Sequence, residues 1–361
     1  MSAAQSPLRR GGRICVLAML AAATMFSAVA CGPDAYSSSA RLYTYPGNPL
    51  LSAATFLQAN GRPGDAAALQ ALAATPSGIW AVGAPDDMQK ISQAAHAAAN
   101  AHEIPVIVAY NLPDRDACGK FSAVPGAADP DYENWIDKLA SAIGSANAIV
   151  VVEPDALADI VRGCLNPAQR AQRYQLLRYA MKKLGALSHA RVYLDAGNPG
   201  MFSDPSVLAA PLQEAGIRYG RGFSANVSNF QWTGAVVSWS QRLERILGGK
   251  AEAVVDTSRD GNGPYTGPLA PQWCNPPGRA PGPAPKLDPG PAGIDAYLWV
   301  KDPGASDGPC NGGPAAGQYW TQYAVDLEQA SHLTGHAAGW QPAGRVAGEK
   351  PVGEKPADAA G

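Results

Sequence analysis

Histidine is scarce in this chain. Its 361 residues include five, at positions 96, 102, 189, 332 and 336, and none closes an apolar β-branched run. Imidazole is the commonest ligand for zinc and related ions, so a hydrolytic transition-metal centre is not expected. Basic excess is missing as well: 28 Lys and Arg stand against 30 Asp and Glu, a net charge of −2. That balance leaves no electrostatic footprint for nucleic acid. No Gly-rich phosphate fingerprint follows the first apolar run, which argues against a dinucleotide fold and gives an all-oxygen magnesium site no support. Despite 39 Gly and 32 Pro there is no three-residue period, so the chain is not collagen-like and long ordered loops are expected instead.

What is present begins with a leader. Arg9, Arg10 and Arg13 precede the apolar run ICVLAMLAAATMFSAVA, which ends in Ala28-Val29-Ala30. This is the pattern of a secretory signal with a cleavage site after residue 30; the competing reading is an uncleaved anchor, because the run falls just short of a spanning length. Without the three arginines the balance is 25 basic to 30 acidic residues, a net −5. No other apolar stretch could span a bilayer. A secreted or cell-surface protein is expected, with Cys31 as a possible lipid attachment point. Residues 31–42 read as a polar linker, 43–335 as one catalytic domain, and 336–361, with GEKP twice, as a disordered tail. Outside the leader and Cys31 remain Cys118, Cys164, Cys274 and Cys310. An even number in an exported chain predicts two disulfides, with three connectivities open, and the absence of C-x-x-C or His spacing argues against zinc.

Short β-branched runs recur at 78–83, 104–110, 148–153, 191–195, 222–227, 251–256 and 296–301, with helical segments between most of them. In DYENWIDKLASAIG, Trp135, Ile136, Leu139 and Ile143 fall at helical spacing; in PAQRAQRYQLLRYAMKKLGAL, Pro167 suits a first turn and basic residues come late. Such alternation predicts an α/β fold with a parallel sheet covered by helices, and seven units favour a barrel.

In parallel barrels the chemistry lies at the carboxyl ends of the strands. Those ends carry Asn111, Asp114, Arg115 and Asp116; Glu153 and Asp155; Asp195; Asn226; Asp256; and Lys301 followed by Asp307. Singly, each has an ordinary explanation as a helix cap or solvated turn. Together they crowd like charges on one rim, which gains nothing for stability. Without histidine, such a rim fits acid–base work by carboxyls, and glycoside hydrolysis is the main reaction class that needs only two of them. Trp80 and Trp273 offer flat faces suited to sugar rings. Trp135 and Trp299 read as core, while Trp232 and Trp239 fit either role.

VIVAYNLPDRDAC and IVVVEPDAL resemble the two signature segments of glycoside hydrolase family 6, cellulases acting on β-1,4-glucan. VYLDAG, GFSANVSNF, VVDTSRDGNGP, QWCNPPGRAPG and AYLWVKDPGASDG follow in the family's order. The resemblance runs from about Tyr45 to Leu333. It implies a distorted, seven-stranded parallel β/α barrel and inverting, cofactor-free hydrolysis by a monomer. Asp155 would be the general acid, Asp116 the carboxylate that raises its pKa, Asp307 the base, acting directly or through water, and Tyr110 the residue beneath the scissile sugar. Trp80, Arg115, Asp195, Asn226, Trp273 and Lys301 match sugar-binding positions, and the disulfides would be Cys118–Cys164 and Cys274–Cys310. This chain departs from the family pattern at Asn198 and Met201, where His and Trp are usual, at Ala305, where Glu is usual, and in the lengthened RDAC. These changes touch sugar contacts and predict altered binding. The short segment GPCNGGPAAGQ between Asp307 and the final helix is too brief for a chain-end lid, so endo action is expected. The competing expectation is a catalytically weak, cell-surface glucan-binding protein of the same fold.

Overall fold

A computed structural model describes residues 36, 39–123 and 129–331. The expected leader, Cys31 and the 336–361 tail lie outside the described residues. Ten strands form among those described: β1 Arg41–Leu42, β2 Ile79–Ala81, β3 Glu103–Ile104, β4 Val106–Ala109, β5 Ala148–Val152, β6 Ala190–Asp195, β7 Gly222–Ala225, β8 Glu252–Asp256, β9 Lys286–Leu287 and β10 Ile294–Leu298. The main sheet runs β2-β4-β5-β6-β7-β8-β10-β9, parallel throughout except for the antiparallel β9–β10 pair.

Each of the seven apolar runs thus supplies one parallel strand of a curled, mostly parallel sheet, but the sheet has more than the expected seven strands. The sheet has an eighth, antiparallel edge strand, β9, drawn from the Pro-rich loop. It occupies the outer edge of β10 at Ala296 and Tyr297. The approach to β2 can therefore meet the last strand only beyond that point, through a single parallel bridge between Ser77 and Trp299 and a 2.8 Å bond from Gly78 N–H to Trp299 O. The run at 104–110 is also divided. Pro105 has no N–H for a ladder, and Glu103–Ile104 pair instead with β1. The expected linker accordingly ends early: Arg41 and Leu42 belong to the fold, and the ring of Tyr36 lies 3.6 Å under the Arg191 guanidinium.

The buried strands show no polar alternation because both faces are covered. Their side chains still divide with a period of two. Ala148, Val150 and Val152 face the helices; Ile149 and Val151 fill the inside of the curled sheet with Val106, Val108, Tyr193, Val254 and Leu298. Helix Pro167–Leu184 begins at Asn166, whose side chain caps Gln169 N–H while the Gln169 side chain returns to the Asn166 N–H; Pro167 sits in the first turn and Lys182 and Lys183 in the last. Reciprocal capping satisfies two N–H groups that the helix cannot, and the lysines complement its dipole. Helix Asp129–Ile143 buries Tyr132, Ile136, Leu139, Ala140 and Ile143, and Trp135 stacks on Tyr132 at its margin. Trp299 and Trp239 are core. No helix of the described residues is long and apolar enough to cross a membrane.

That single bridge depends on a missing side chain. A Cβ on Gly78 would collide with the Val300 carbonyl oxygen and crowd Val108. Gly78→Ala is therefore expected to destabilise the fold by about 1–3 kcal/mol, measured as a lowered midpoint in urea unfolding.

Candidate active site

A cleft of about 910 Å³ opens above the carboxyl ends of the strands, and Asp116, Asp155 and Asp307 all line it. So do Trp80, Tyr110, Arg115, Asn198, Trp273 and Lys301, and the departures Met201 and Ala305. Asp195 and Asn226 do not. Each is turned inward, into hydrogen bonds that hold the loops of this rim.

Asp155 follows β5 and precedes helix Ala156–Val161, with φ +67°. Only the left-handed region provides so sharp an exit, and a non-glycine residue there needs support from its surroundings. Asp195 supplies it. Its carboxylate accepts the Asp155 N–H at 3.0 Å, the Gly197 N–H at 3.2 Å and the Ser224 hydroxyl at 3.0 Å. The expected sugar contact is thus a brace for the residue above it. Burial pushes Asp195 up to about 6 despite those donors. Asn226 likewise binds Gln231 N–H and the Asp256 carbonyl.

The Asp155 carboxyl makes no protein hydrogen bond among the described residues. It is half-buried, and the protein around it removes most of its hydration while the acidic group still meets the cleft. Desolvation pushes its pKa well above the carboxylate range; Asp195 adds to this, then Asp116 and Asp159. Asp116 is therefore a contributor to the shift, behind burial and Asp195. The Asp116 side chain accepts Gly119 N–H at 3.0 Å, and Ser122 N–H at 2.8 Å and hydroxyl at 2.9 Å. Ser122 also lies 3.1 Å from the Tyr110 hydroxyl, and Tyr110 meets Trp80 edge-on at 5.5 Å.

Asp307 has the opposite environment. Burial alone would raise it, but Arg259 and Lys301 outweigh burial and hold it below the usual range. Arg259 grips both oxygens, at 2.8 and 3.0 Å; Lys301 lies at 3.3 Å. Asn275 completes the hold: its N–H donates to Asp307, and its side-chain oxygen accepts the Asp307 N–H. One cleft thus presents a carboxyl whose pKa burial and neighbouring acids raise and another whose pKa its cations lower, a contrast of environments that can divide acid from base.

Both disulfides form as the resemblance implies, Cys118–Cys164 and Cys274–Cys310, so the lengthened RDAC does not displace Cys118. The loops they brace touch through Phe121 and Trp273, 5.5 Å apart. Arg115 is mainly structural: its guanidinium lies over the Tyr110 ring and binds the carbonyls of Val82, Tyr110 and Ser122. Sequence reasoning missed Arg259, Asn275 and Ser122. Arg259 stood in VVDTSRDGNGP and Asn275 in QWCNPPG, but no spacing rule ties either to a residue tens of positions away.

Two outcomes follow from these shifts. Removing the Asp116 charge eases ionisation of Asp155, so Asp116→Asn is expected to move the alkaline limb of the pH–rate profile to lower pH. Folding stability should also depend on pH. Glu153, which burial pushes up to about 7, and Asp195, near 6, both lie above their unfolded values. Their contribution is full below those unfolded values and is lost as pH rises through the folded ones. Urea unfolding at pH 5 and pH 8 is expected to show lower stability at pH 8.

The family described as glycosyl hydrolases family 6 matches residues 38–331. Endoglucanase A of Cellulomonas fimi is 40 % identical over 266 residues, 73 % of this chain but 56 % of that relative, so the chain spans little more than half of its length. Endoglucanase 1 of Streptomyces halstedii is 35 % identical over 311 residues, 83 % of this chain and 94 % of the relative. Among solved structures, the endoglucanase Cel6 of Mycobacterium tuberculosis, in complex with methyl-cellobiosyl-4-deoxy-4-thio-β-D-cellobioside, is 39 % identical with a TM-score of 0.74. That alignment covers 81 % of this chain and 98 % of the solved one.

Proposed function

The chain belongs to the glycosyl hydrolases of family 6, and we propose that it is an inverting endo-β-1,4-glucanase acting on cellulose-like chains. The observation that carries this reading is the contrast within one cleft. The Asp155 carboxyl, with no hydrogen-bond partner among the described residues, has its pKa raised by burial and neighbouring acids, while Arg259 and Lys301 lower that of Asp307.

In this scheme Asp155 gives its proton to the glycosidic oxygen as the C1–O bond breaks and the bonding pair stays on that oxygen. A water attacks C1 from the opposite face, and its proton passes to Asp307, directly or through a second water. The ion pairs lower the basicity of Asp307, which favours a late proton transfer after positive charge has built up on the water. The charge of Asp116 disfavours ionisation of Asp155, as like charges do. Tyr110 and Trp80 form an aromatic corner for the sugar at the cleavage point, and Trp273, Lys301, Asn198 and Arg115 line the cleft around it. Asp195 and Asn226 serve from behind. No cofactor enters the scheme, and since one chain holds every group, a monomer suffices.

Endo action is supported by the short return from Asp307 to helix Thr321–Ser331, too brief to form a long lid. The leader sequence, which precedes the described residues, supports export. A second reading, a weakly catalytic glucan-binding protein, draws on Met201 and Ala305, both of which line the cleft where the resemblance leads one to expect Trp and Glu.

Asp155→Ala is expected to cut hydrolysis of a soluble cellulose derivative by about 10²–10⁴-fold, with the unfolding midpoint nearly unchanged. Following product anomers by NMR should show the α-anomer first. Initial β-anomer would refute inversion, and wild-type turnover no higher than that of Asp155→Ala would favour the binding reading.

A further inference from the structure

Trp232 is the most exposed of the large apolar side chains, with 54 % of its surface open to solvent. It stands at the start of helix Thr233–Ile246 and immediately after Gln231, which lines the cleft. The indole lies against the bare α-carbon of Gly263, where any Cβ would strike the ring. The next two residues, Pro264 and Tyr265, line the cleft as well. Trp232 therefore continues the wall made by the loops after β7 and β8, just beyond its last lining residues.

The ring is held on a rigid mount. Asn226 pins Gln231 from both sides, accepting its N–H at 3.2 Å and reaching its carbonyl at 3.3 Å. Thr233 bonds Asp260 at 2.6 Å, and the Trp232 carbonyl accepts the N–H groups of Ala235 and Val236. The ring's own N–H is treated differently. The indole N–H groups of Trp80, Trp239 and Trp299 are consumed by backbone carbonyls. That of Trp232 has no partner among the described residues, and the same holds for Trp273, the exposed tryptophan within the cleft. A fixed, solvated aromatic ring with a free donor suits one occupant in particular: the apolar face of a pyranose whose hydroxyls can accept from the indole.

We propose that Trp232 is an additional sugar-binding platform that extends the cleft and engages a glucose unit of a chain long enough to reach past Gln231 and Tyr265. The inference rests on the glucanase reading and adds a length-dependent subsite to it. It implies a preference for long chains over short oligosaccharides, arising from binding and not from bond cleavage.

The test compares wild type, Trp232→Ala and Trp232→Phe on cello-oligosaccharides of increasing length and on soluble carboxymethyl cellulose. In parallel, affinity electrophoresis through gels containing that polymer uses the same changes in an Asp155→Asn background. The expected result is a roughly three- to ten-fold rise in KM for the polymer and the longest oligosaccharides with Trp232→Ala. The effect should fade as the substrate shortens, reduced gel retardation should accompany it, and Trp232→Phe should recover part of the loss. Equal KM values and equal retardation for all three proteins would overturn the platform while leaving the glucanase intact. So would a loss that is the same at every chain length. A wild type that neither cleaves the polymer nor is retarded by it would end the glucan reading itself, and the platform with it.

Discussion

Buried carboxylates that hold backbone N–H groups are what keep the rim in shape. A parallel strand ends with its N–H groups pointing into a turn, and buried donors left unmatched are costly. Here each turn is met by an acid from a neighbouring element. Asp87 accepts the N–H groups of Val82, Gly83 and Ala84. Glu153 accepts those of Asn111 and Leu112 and the Tyr132 hydroxyl. Asp159 accepts those of Ala117 and Cys118 while paired with buried Arg173. Asp195 holds Asp155 and Gly197. Asp256 alone gathers Ser228, Ser258, Val300 and Lys301. Several of the residues so held, or that hold, have left-handed backbones, among them Glu153, Asp155, Asn226 and Ser228. The braces are what make those conformations tolerable.

This arrangement separates two kinds of acid on the same rim. Those behind the floor are saturated with donors and act as fixed acceptors. Asp155, in front, is left without any, so desolvation and neighbouring negative charge act on it unopposed except by Arg162. Two of the braces thus serve twice: Asp195 and Asp159 hold backbone N–H groups and by their charge raise the pKa of Asp155. Asp195 does both, since it bonds the Asp155 backbone and is the foremost charge acting on its side chain. Asp307 escapes this field because its loop brings its own cations. Opposite pKa shifts therefore stand in one cleft.

The seven parallel strands were legible because β-branched runs of that length, alternating with helical periodicity, have few other uses. The eighth was not: Lys286–Leu287 is a two-residue strand in a Pro-rich loop, and its pairing is decided by the free edge of β10. Pro105 was visible, but that it would send Glu103–Ile104 to a different partner depends on where Arg41–Leu42 lies. For the site, the strand-end rule placed every carboxylate on the correct rim. It could not say which of them face the cleft. Asp195 and Asp256 end strands whose preceding alternate residues, Tyr193 and Val254, fill the inside of the sheet, so their side chains enter the layer beneath the cleft. A one-residue difference in where each strand stops decides that, and residue type does not report it. Arg259 and Asn275 were hidden for a simpler reason: their meaning lies in a contact with Asp307, 48 and 32 positions away.

The departures from the family pattern can be placed against this frame. Asn198 is buried, and its side-chain oxygen accepts the Met201 N–H at 3.0 Å, so the turn after β6 supplies its own closure. Ala305 keeps its backbone in place by pairing with Tyr319, whose hydroxyl is fixed on Asp302. None of the carboxylates that brace Asp155 or loop 116–122 bonds to these residues, and Arg259 and Asn275 hold Asp307 without them. Substitution at 198, 201 and 305 therefore alters the walls a sugar would touch and leaves the proton-handling groups where they are. A cleft with Met and Ala in its wall has less aromatic and charged surface with which to grip a chain nearby. The exposed rings of Trp232, after β7, and Trp273, after β8, stand on the loops between those that carry Met201 and Ala305. Under the proposed function, such an arrangement would shift recognition from the cleavage point toward the length of polymer that reaches beyond it.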